Sequence, residues 1–165
     1  MLIKYTLLII MDVDSLSVRE EHDLNVFSEA IRDAYRRFEP LIWATPPKSI
    51  SDARMSLSGH KYNVEIKSRY QSKSYGTLPI TVKKYCNLKD NTFPDETLLY
   101  AVILNDEELY IFDLNKIDMN KVIIRNWNIN EVEFPAQGEP VKKKQPAMFI
   151  PFSEAKAVLQ LKKEK

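Results

Sequence analysis

Cysteine, histidine and glycine are all scarce in this chain of 165 residues, and each scarcity excludes a class of site. Cys86 is the single cysteine, which excludes an intramolecular disulfide and a cysteine-rich zinc site and fits a reducing compartment. His22 and His60 are the two histidines, so histidine-based catalytic triads have little support. Three glycines are too few for a glycine-rich loop that cradles phosphates.

The chain also lacks a strong charge and a long apolar run. It has 24 Lys and Arg against 23 Asp and Glu, so a nucleic-acid partner would have to be bound by local basic patches. The apolar run in residues 1–14, MLIKYTLLIIMDVD, is shorter than the roughly 20 residues of a spanning helix and precedes no small-residue cleavage site. We expect a buried strand or packed arm there, no membrane contact and a cytoplasmic location, with secretion as the alternative.

What is present is ordinary for a globular protein: 44% hydrophobic and 28% charged residues. The length predicts a single domain, 1–165, with enough apolar surface for a core without cross-links. Residues 15–39 have the pattern of an amphipathic helix that ends before Pro40, and Ser17 with Glu20 has capping-box spacing. Its apolar stripe, at intervals of three and four, is formed by Leu24, Phe27, Ile31, Tyr35 and Phe38.

The rest of the chain predicts mostly strands. After a loop at 44–51 come a hairpin centred on Gly59, a polar connector at 71–76, a short strand at 77–81 and a helix at 82–90. ETLLYAVIL and ELYIFDL predict a second hairpin, followed by the weaker strand VIIRNWNI, an exposed loop at 135–146, and a C-terminal strand and helix at about 147–163. This order predicts an α/β (α+β) sandwich around one mixed sheet.

The hairpin at 52–69 sorts its side chains onto two faces. A type II′ turn at Gly59-His60 would place Ser58 opposite Lys61 and Arg54 opposite Glu65, with Glu65 diagonal to Asp52. One face is apolar and should pack into a core: Ala53, Met55, Leu57, Tyr62, Val64 and Ile66. The other gathers carboxylates, cations and small polar groups: Asp52, Arg54, Ser56, Asn63, Glu65, Lys67 and Arg69.

The polar face has two interpretations. Asp52, Glu65 and the Ile66 carbonyl could bind Mg²⁺ or Mn²⁺, which takes oxygen ligands and lowers the pKa of a bound water, and Lys67 could orient that water or stabilise charge on a phosphate. In the plainer interpretation the face is solvated, and Asp52 pairs with Lys67 and Arg54 with Glu65, at roughly 0.2–1 kcal/mol each. On the hairpin alone the plainer interpretation is favoured.

The order of motifs resembles the PD-(D/E)XK nuclease superfamily. Asp52, a short hairpin and Glu65-Ile66-Lys67 are similar to its core motif, and VEIKSRY, YGTLPITVKKYCNL and LLYAVILNDEELYIFDL resemble small phage- or prophage-type members over residues 15–115. The resemblance implies a restriction-endonuclease-like three-layer sandwich, Mg²⁺-dependent hydrolysis of nucleic-acid phosphodiesters, and Asp52, Glu65 and Lys67 as the catalytic set. Many members add a carboxylate from the first helix, for which Glu20 is the candidate.

We therefore expect a Mg²⁺-dependent nuclease that hydrolyses DNA, alone or as an oligomer or with a partner subunit. Cations that follow the site could contact phosphates: Arg69, Lys73, Lys83 and Lys84. Ser51 rather than proline precedes Asp52, and no DNA-recognition domain is evident, which argues against sequence-specific restriction. The alternatives are a non-catalytic module of this fold that binds DNA or a partner protein, and an interaction protein whose polar hairpin is only solvated. Trp43 and Trp127 are expected in a core or an interface.

Overall fold

A six-stranded mixed sheet is the middle layer of the computed structural model, which describes residues 18–46, 48–131 and 141–163. Its strands are β1 Leu41–Ala44, β2 Ala53–Leu57, β3 His60–Arg69, β5 Glu96–Leu104, β6 Glu108–Asp113 and β9 Ala157–Gln160. They lie side by side in the order β1-β2-β3-β5-β6-β9, and neighbours are antiparallel except β3 and β5. A second, antiparallel sheet has the order β4-β8-β7, with β4 Thr77–Thr81, β7 Ile123–Glu131 and β8 Val141–Pro151.

Helix α1 (Val18–Ala34) covers one face of the six-stranded sheet because its apolar residues recur every three or four positions. Leu24, Phe27 and Ile31 are buried and share a core with Val64 and Ile66 of β3. The helix gives way to a 3₁₀ turn at Arg36–Phe38, and Glu39 adopts a left-handed conformation before Pro40. The apolar face predicted for the hairpin is confirmed by this core.

The opposite face is covered by helix α2 (Val82–Asp90) and the second sheet. Thr81 caps α2, since its hydroxyl accepts a hydrogen bond from the backbone N–H of Lys84 at 3.1 Å. Leu88 of α2 and Met148 of β8 are buried in one core with Tyr100 and Phe112 of the six-stranded sheet. The result is three layers, with the mixed sheet between α1 and the layer of α2 and the second sheet.

The parallel pair of β3 and β5 lies at the centre of the sheet. Parallel neighbours need a crossover, and residues 70–95, which include β4 and α2, supply it. From Leu98 to Leu104 every residue of β5 is buried, as expected for a strand covered on both faces. The predicted fold class, an α/β sandwich with a mixed central sheet, is confirmed, whereas the second, three-stranded sheet was not predicted.

Two predicted elements are wrong, and one strand was missed. The chain that follows β8 forms a 3₁₀ turn, Phe152–Glu154, and then strand β9, where a helix was predicted. β9 pairs with β6, and its side chains at Ala157 and Leu159 pack against the α1 core. The apolar residues of this segment therefore follow the two-residue period of a strand and not the spacing of three and four of a helix. Residues 141–146, predicted as loop, belong to β8, and β1 was not predicted at all.

The hairpin turn is also corrected. Ser58 and Gly59 occupy the turn with φ of 47° and 81°, which is the pattern of a type I′ turn at Ser58-Gly59. Arg54 therefore pairs with Asn63, and Ser56 with Lys61. The prediction for residues 1–14 and the proposed cap at Ser17 lie outside the described residues. Among the helices of the described ranges, none is both long and apolar enough to cross a membrane.

Candidate active site

Asp52 directly precedes β2, at the end of the hairpin where β3 extends beyond its partner strand. The N–H of Asp52 donates to the Val64 carbonyl at 3.0 Å, and the N–H of Ile66 donates to Asp52 Oδ2 at 2.8 Å. Backbone groups of Val64 and Ile66 thus face the side on which β2 has ended, since alternate residues of a strand direct these groups to the same side. Because a strand residue directs its N–H and C=O to the same side, the Ile66 carbonyl faces that edge as well.

Glu65 is fully buried, at 0% exposure, on the face of β3 opposite the α1 core. Its Oε1 pairs with Nζ of Lys67 at 3.2 Å, and its Oε2 pairs with Nζ of Lys84 at 3.1 Å. Lys67 comes from the same strand two residues on, so strand alternation brings it to the same face. Lys84 comes from α2 and also donates to the Ile50 carbonyl, which ties the helix to the loop before Asp52.

The electrostatics of the site are set by the buried carboxylate of Glu65, the nearby charge of Asp52 and two ammonium groups. Burial raises the pKa of Glu65 to about 7 and the negative charge of Asp52 adds to the rise, while Lys67 and Lys84 oppose it. Burial would lower the pKa of Lys67, but the charges of Glu65 and Asp52 outweigh it and the pKa is raised. Asp52 is therefore close enough to both Glu65 and Lys67 to perturb their protonation.

A cavity of about 330 Å³ adjoins Asp52, between the edge of β3 and the first turns of α1. Asp52, Ile66 and Lys67 line it from the sheet, and Glu20 and Asp23 line it from α1. The predicted first-helix carboxylate, Glu20, is thus placed at the same cavity as Asp52. Its role as a metal ligand stays a prediction.

Asp23 is a carboxylate of this cavity that the sequence reasoning missed. It is buried, and its Oδ1 accepts a hydrogen bond from the Ser68 hydroxyl at 2.6 Å. The signal was available, because Asp23 lies four residues before Phe27 and eight before Ile31, on the buried stripe of α1. An acidic residue on an apolar stripe needs a polar partner, and here that partner comes from β3.

The plainer interpretation of the polar face is wrong in its details. Arg54 forms its ion pair with Glu96 of β5, and Glu65 pairs with the two lysines, so neither predicted cross-strand pair is present among the described residues. Asn63 and Glu65 are fully buried, so this part of the face is not solvated. This part of the face is an internal surface between the sheet and α2.

The four cations predicted to contact phosphates lie in different surroundings. The guanidinium of Arg69 lies 5.2 Å from the ring centroid of Trp127, and Lys73 pairs with Glu107 and Glu108 at 3.3 and 3.0 Å. Lys83 is exposed on α2, and Lys84 is the partner of Glu65 described above. The phosphate-binding role of all four stays a prediction; the sequence did not reveal that Lys84 contacts the central carboxylate.

The donor set at this edge fits a divalent cation of the Mg²⁺ type. Asp52, Glu65 and the Ile66 carbonyl offer hard oxygen ligands, and Mg²⁺ is commonly bound by one or two carboxylates with waters and substrate phosphates. In the described part of the chain, no group of three or more His, Cys, Asp and Glu side chains is arranged to hold a metal ion, so two carboxylates would need waters and substrate oxygens as further ligands. The charge of Asp52 that raises the pKa of Glu65 is the repulsion that a bound cation would relieve.

No protein-family model matches this chain, and a comparison with curated proteins finds no match. Among solved structures, the fold is similar to that of Hjc, a Holliday junction resolvase from the archaeal hyperthermophile Archaeoglobus fulgidus. The TM-score is 0.46 with 9% identity, and the match covers 76% of this chain and 88% of that chain. A similarity of this size says nothing about which residues act, so a function has to be inferred from the site itself.

Proposed function

We propose that this protein is a metal-dependent nuclease that hydrolyses phosphodiester bonds of DNA. One observation carries the proposal: the charge of Asp52, which directly precedes β2, is close enough to Glu65 of β3 to raise its pKa, and the ammonium of Lys67 lies 3.2 Å from Glu65. Two carboxylates and a lysine are the groups that metal-assisted hydrolysis of a phosphodiester needs. The cavity beside Asp52 gives a substrate access to this edge of the sheet.

Each residue of the site would have a separate role in the reaction. Asp52, Glu65 and the Ile66 carbonyl would bind the cation, which when bound lowers the pKa of a water and polarises a phosphoryl oxygen. The Ile66 N–H holds the Asp52 carboxylate in place at 2.8 Å, so this ligand is fixed before a substrate arrives. Lys67 keeps its proton, because its pKa is raised, and therefore acts as a cation towards charge that grows on the phosphate rather than as a base.

Nicking of supercoiled plasmid DNA in Mg²⁺ or Mn²⁺ tests the proposal. Wild-type protein should nick the plasmid, EDTA should stop the reaction, and Lys67→Ala should lower the rate at least roughly 100-fold because it removes a cation from the reacting phosphate. Lys61→Ala is the matched control, since Lys61 is an exposed lysine of the same strand paired with Asp95. Equal rates for wild type and Lys67→Ala would exclude catalysis at this site.

A second candidate function is supported by the burial of Glu65. Its carboxylate is fully buried and pairs with Lys67 and Lys84. Buried ion pairs of this kind also occur as purely structural groups, which is the pattern expected of a non-catalytic module that binds DNA or a partner protein. In that case DNA would bind without cleavage, and Mg²⁺ would not raise the melting temperature. The nicking assay and a thermal shift with Mg²⁺ therefore separate the two functions.

A further inference from the structure

A second, larger cleft lies beside Asp52 on the side of the sheet that carries Glu65. Its volume is about 670 Å³, within the range of sites for small molecules. It separates residues 45–46 and 48–51 from the connection between α2 and β5 at 90–94. Ser51, the neighbour of Asp52, belongs to its lining. We refer to this space as the Trp43 cleft; the candidate active site does not use it.

Two aromatic side chains of the cleft are left exposed to solvent. Trp43 is 40% exposed and Phe93 is 64% exposed, and they belong to opposite walls. Trp43 was expected in a core or an interface, yet it lies on a four-residue strand at the sheet edge, where nothing in the described residues covers it fully. Exposed aromatic side chains in a cleft are typical of sites that bind flat ring systems.

Arg54 forms the floor between these two walls. Trp43 is the direct partner of Arg54 in the pairing of β1 with β2, so the two side chains are on the same face. The guanidinium of Arg54 lies 5.5 Å from the ring centroid of Phe93 and is held by its ion pair with Glu96. The floor is therefore a fixed guanidinium plane bordered by two rings, and both kinds of group stack on nucleobases.

The wall that carries the loop is fixed at both ends. The Thr45 hydroxyl donates to the Ser51 carbonyl, and the Thr45 N–H donates to the Asp52 carbonyl at 3.1 Å. Lys84 adds a hydrogen bond to the Ile50 carbonyl. A cleft whose walls are held in this way is formed before binding, which lowers the entropy lost when a ligand is ordered.

We propose that the Trp43 cleft binds an unpaired base of a nucleic-acid strand whose adjacent phosphate lies at Asp52. The base stacks on Phe93, Trp43 and the Arg54 guanidinium, and Lys48 at the rim attracts the backbone. Asp90, also in the lining, offers an acceptor to an exocyclic amino group. The substrate class is then DNA with at least one unpaired nucleotide next to the cleaved bond rather than uninterrupted duplex. The cleavage part of this inference rests on the proposed function, while base binding does not.

Binding of a labelled single strand of 12 nucleotides tests the inference, with fluorescence anisotropy in EDTA so that no cleavage occurs. Phe93→Ala and Trp43→Ala should each weaken binding of the single strand roughly 5- to 150-fold, the range for loss of one base-stacking contact. Binding of the matching blunt duplex should be weaker than that of the strand and change less than about twofold. Phe93→Tyr should bind like wild type, because it keeps the ring.

Phe38→Ala is the matched control, since Phe38 is 51% exposed and lies outside the cleft, and thermal melting shows that each variant is folded. The inference is overturned if both cleft variants bind the strand within twofold of wild type. It is also overturned if a strand with abasic sites binds as tightly as the intact strand, or if a proline-rich peptide binds the cleft and the strand does not.

The outcome can be separated from that of the proposed function. If Phe93→Ala loses binding of the strand but no Lys67-dependent cleavage exists, the cleft proposal stands and the nuclease proposal fails. If Lys67→Ala abolishes cleavage while both cleft variants bind and cleave like wild type, the nuclease proposal stands and the cleft proposal fails.

Discussion

Replacing Glu65 by glutamine should change how the stability of the metal-free protein depends on pH. Glu65 has a pKa of about 7 in the folded protein against an ordinary value of 4.5, because it is buried beside Asp52 and only partly compensated by Lys67 and Lys84. The folded state therefore binds this proton more tightly than the unfolded state. The stabilisation is fully present below pH 4.5 and is lost as the pH rises towards and through 7.

The magnitude follows from the two pKa values. The interval from 4.5 to about 7, at about 1.4 kcal/mol per pH unit, corresponds to about 3 kcal/mol of unfolding free energy. Glutamine resembles the protonated carboxyl, so the variant should not lose this free energy. Between pH 5 and pH 8 the stability of wild type relative to Glu65→Gln should fall by about 2–3 kcal/mol, since part of the loss has already occurred at pH 5.

Urea denaturation in EDTA at pH 5, 6, 7 and 8 measures the difference. Glu29→Gln makes the same exchange at an exposed carboxylate of α1 and is the matched control. A constant difference between wild type and Glu65→Gln over this range would show that the carboxylate is not destabilised by burial. A wild type that gains stability relative to the variant as the pH rises would show the opposite sign and refute the electrostatic reasoning.

Three further predictions concern the site and the last strand. Mg²⁺ at millimolar concentration should raise the melting temperature of wild type, and Asp52→Ala should abolish the rise; a rise of equal size in the variant would place the cation elsewhere. Lys84→Met removes an ammonium that pairs with the Glu65 carboxylate, so titration calorimetry should find Mg²⁺ bound several-fold more tightly. Unchanged affinity would mean that the ammonium and the cation do not compete for this carboxylate. Side chains of β9 alternate between the core and solvent, so Leu159→Lys should lower the free energy of unfolding by about 1–3 kcal/mol and Val158→Lys by less than about 0.5 kcal/mol, measured by urea denaturation. Equal losses for the two variants would contradict the assignment of β9 as a strand.

The face of the hairpin was predictable from the sequence although its register was not. The predicted turn at Gly59-His60 is displaced by one residue from the observed turn at Ser58-Gly59, and the pairing partner of Arg54 moves by two, from Glu65 to Asn63. A shift of two residues leaves every side chain on its own face, because strand side chains alternate with a period of two. The two carboxylates were therefore assigned to one face even though the turn type was wrong.

The contacts between layers could not be predicted in this way. Lys84 reaches Glu65 only because α2 crosses over the sheet, and no pattern within α2 distinguishes it from the exposed Lys83. The error at β9 has a similar origin. Alanine, leucine, glutamine and lysine favour a helix locally, but the free edge of β6 offers a ladder of backbone hydrogen bonds that outweighs this preference.

The pairing of strands that are distant in sequence determines when each sheet can form during translation. β8 is the middle strand of its sheet and joins β4 to β7, with Thr77 opposite Pro151. β9 is the last strand added to the other sheet, where Gln160 lies opposite Glu108 of β6. During translation β4 leaves the ribosome well before its partner, so its backbone groups stay unpaired for several seconds at roughly 5–20 residues per second. Residues 141–160 thus close both sheets late, and a nascent chain that stalls before them exposes strand edges to chaperones and to other nascent chains.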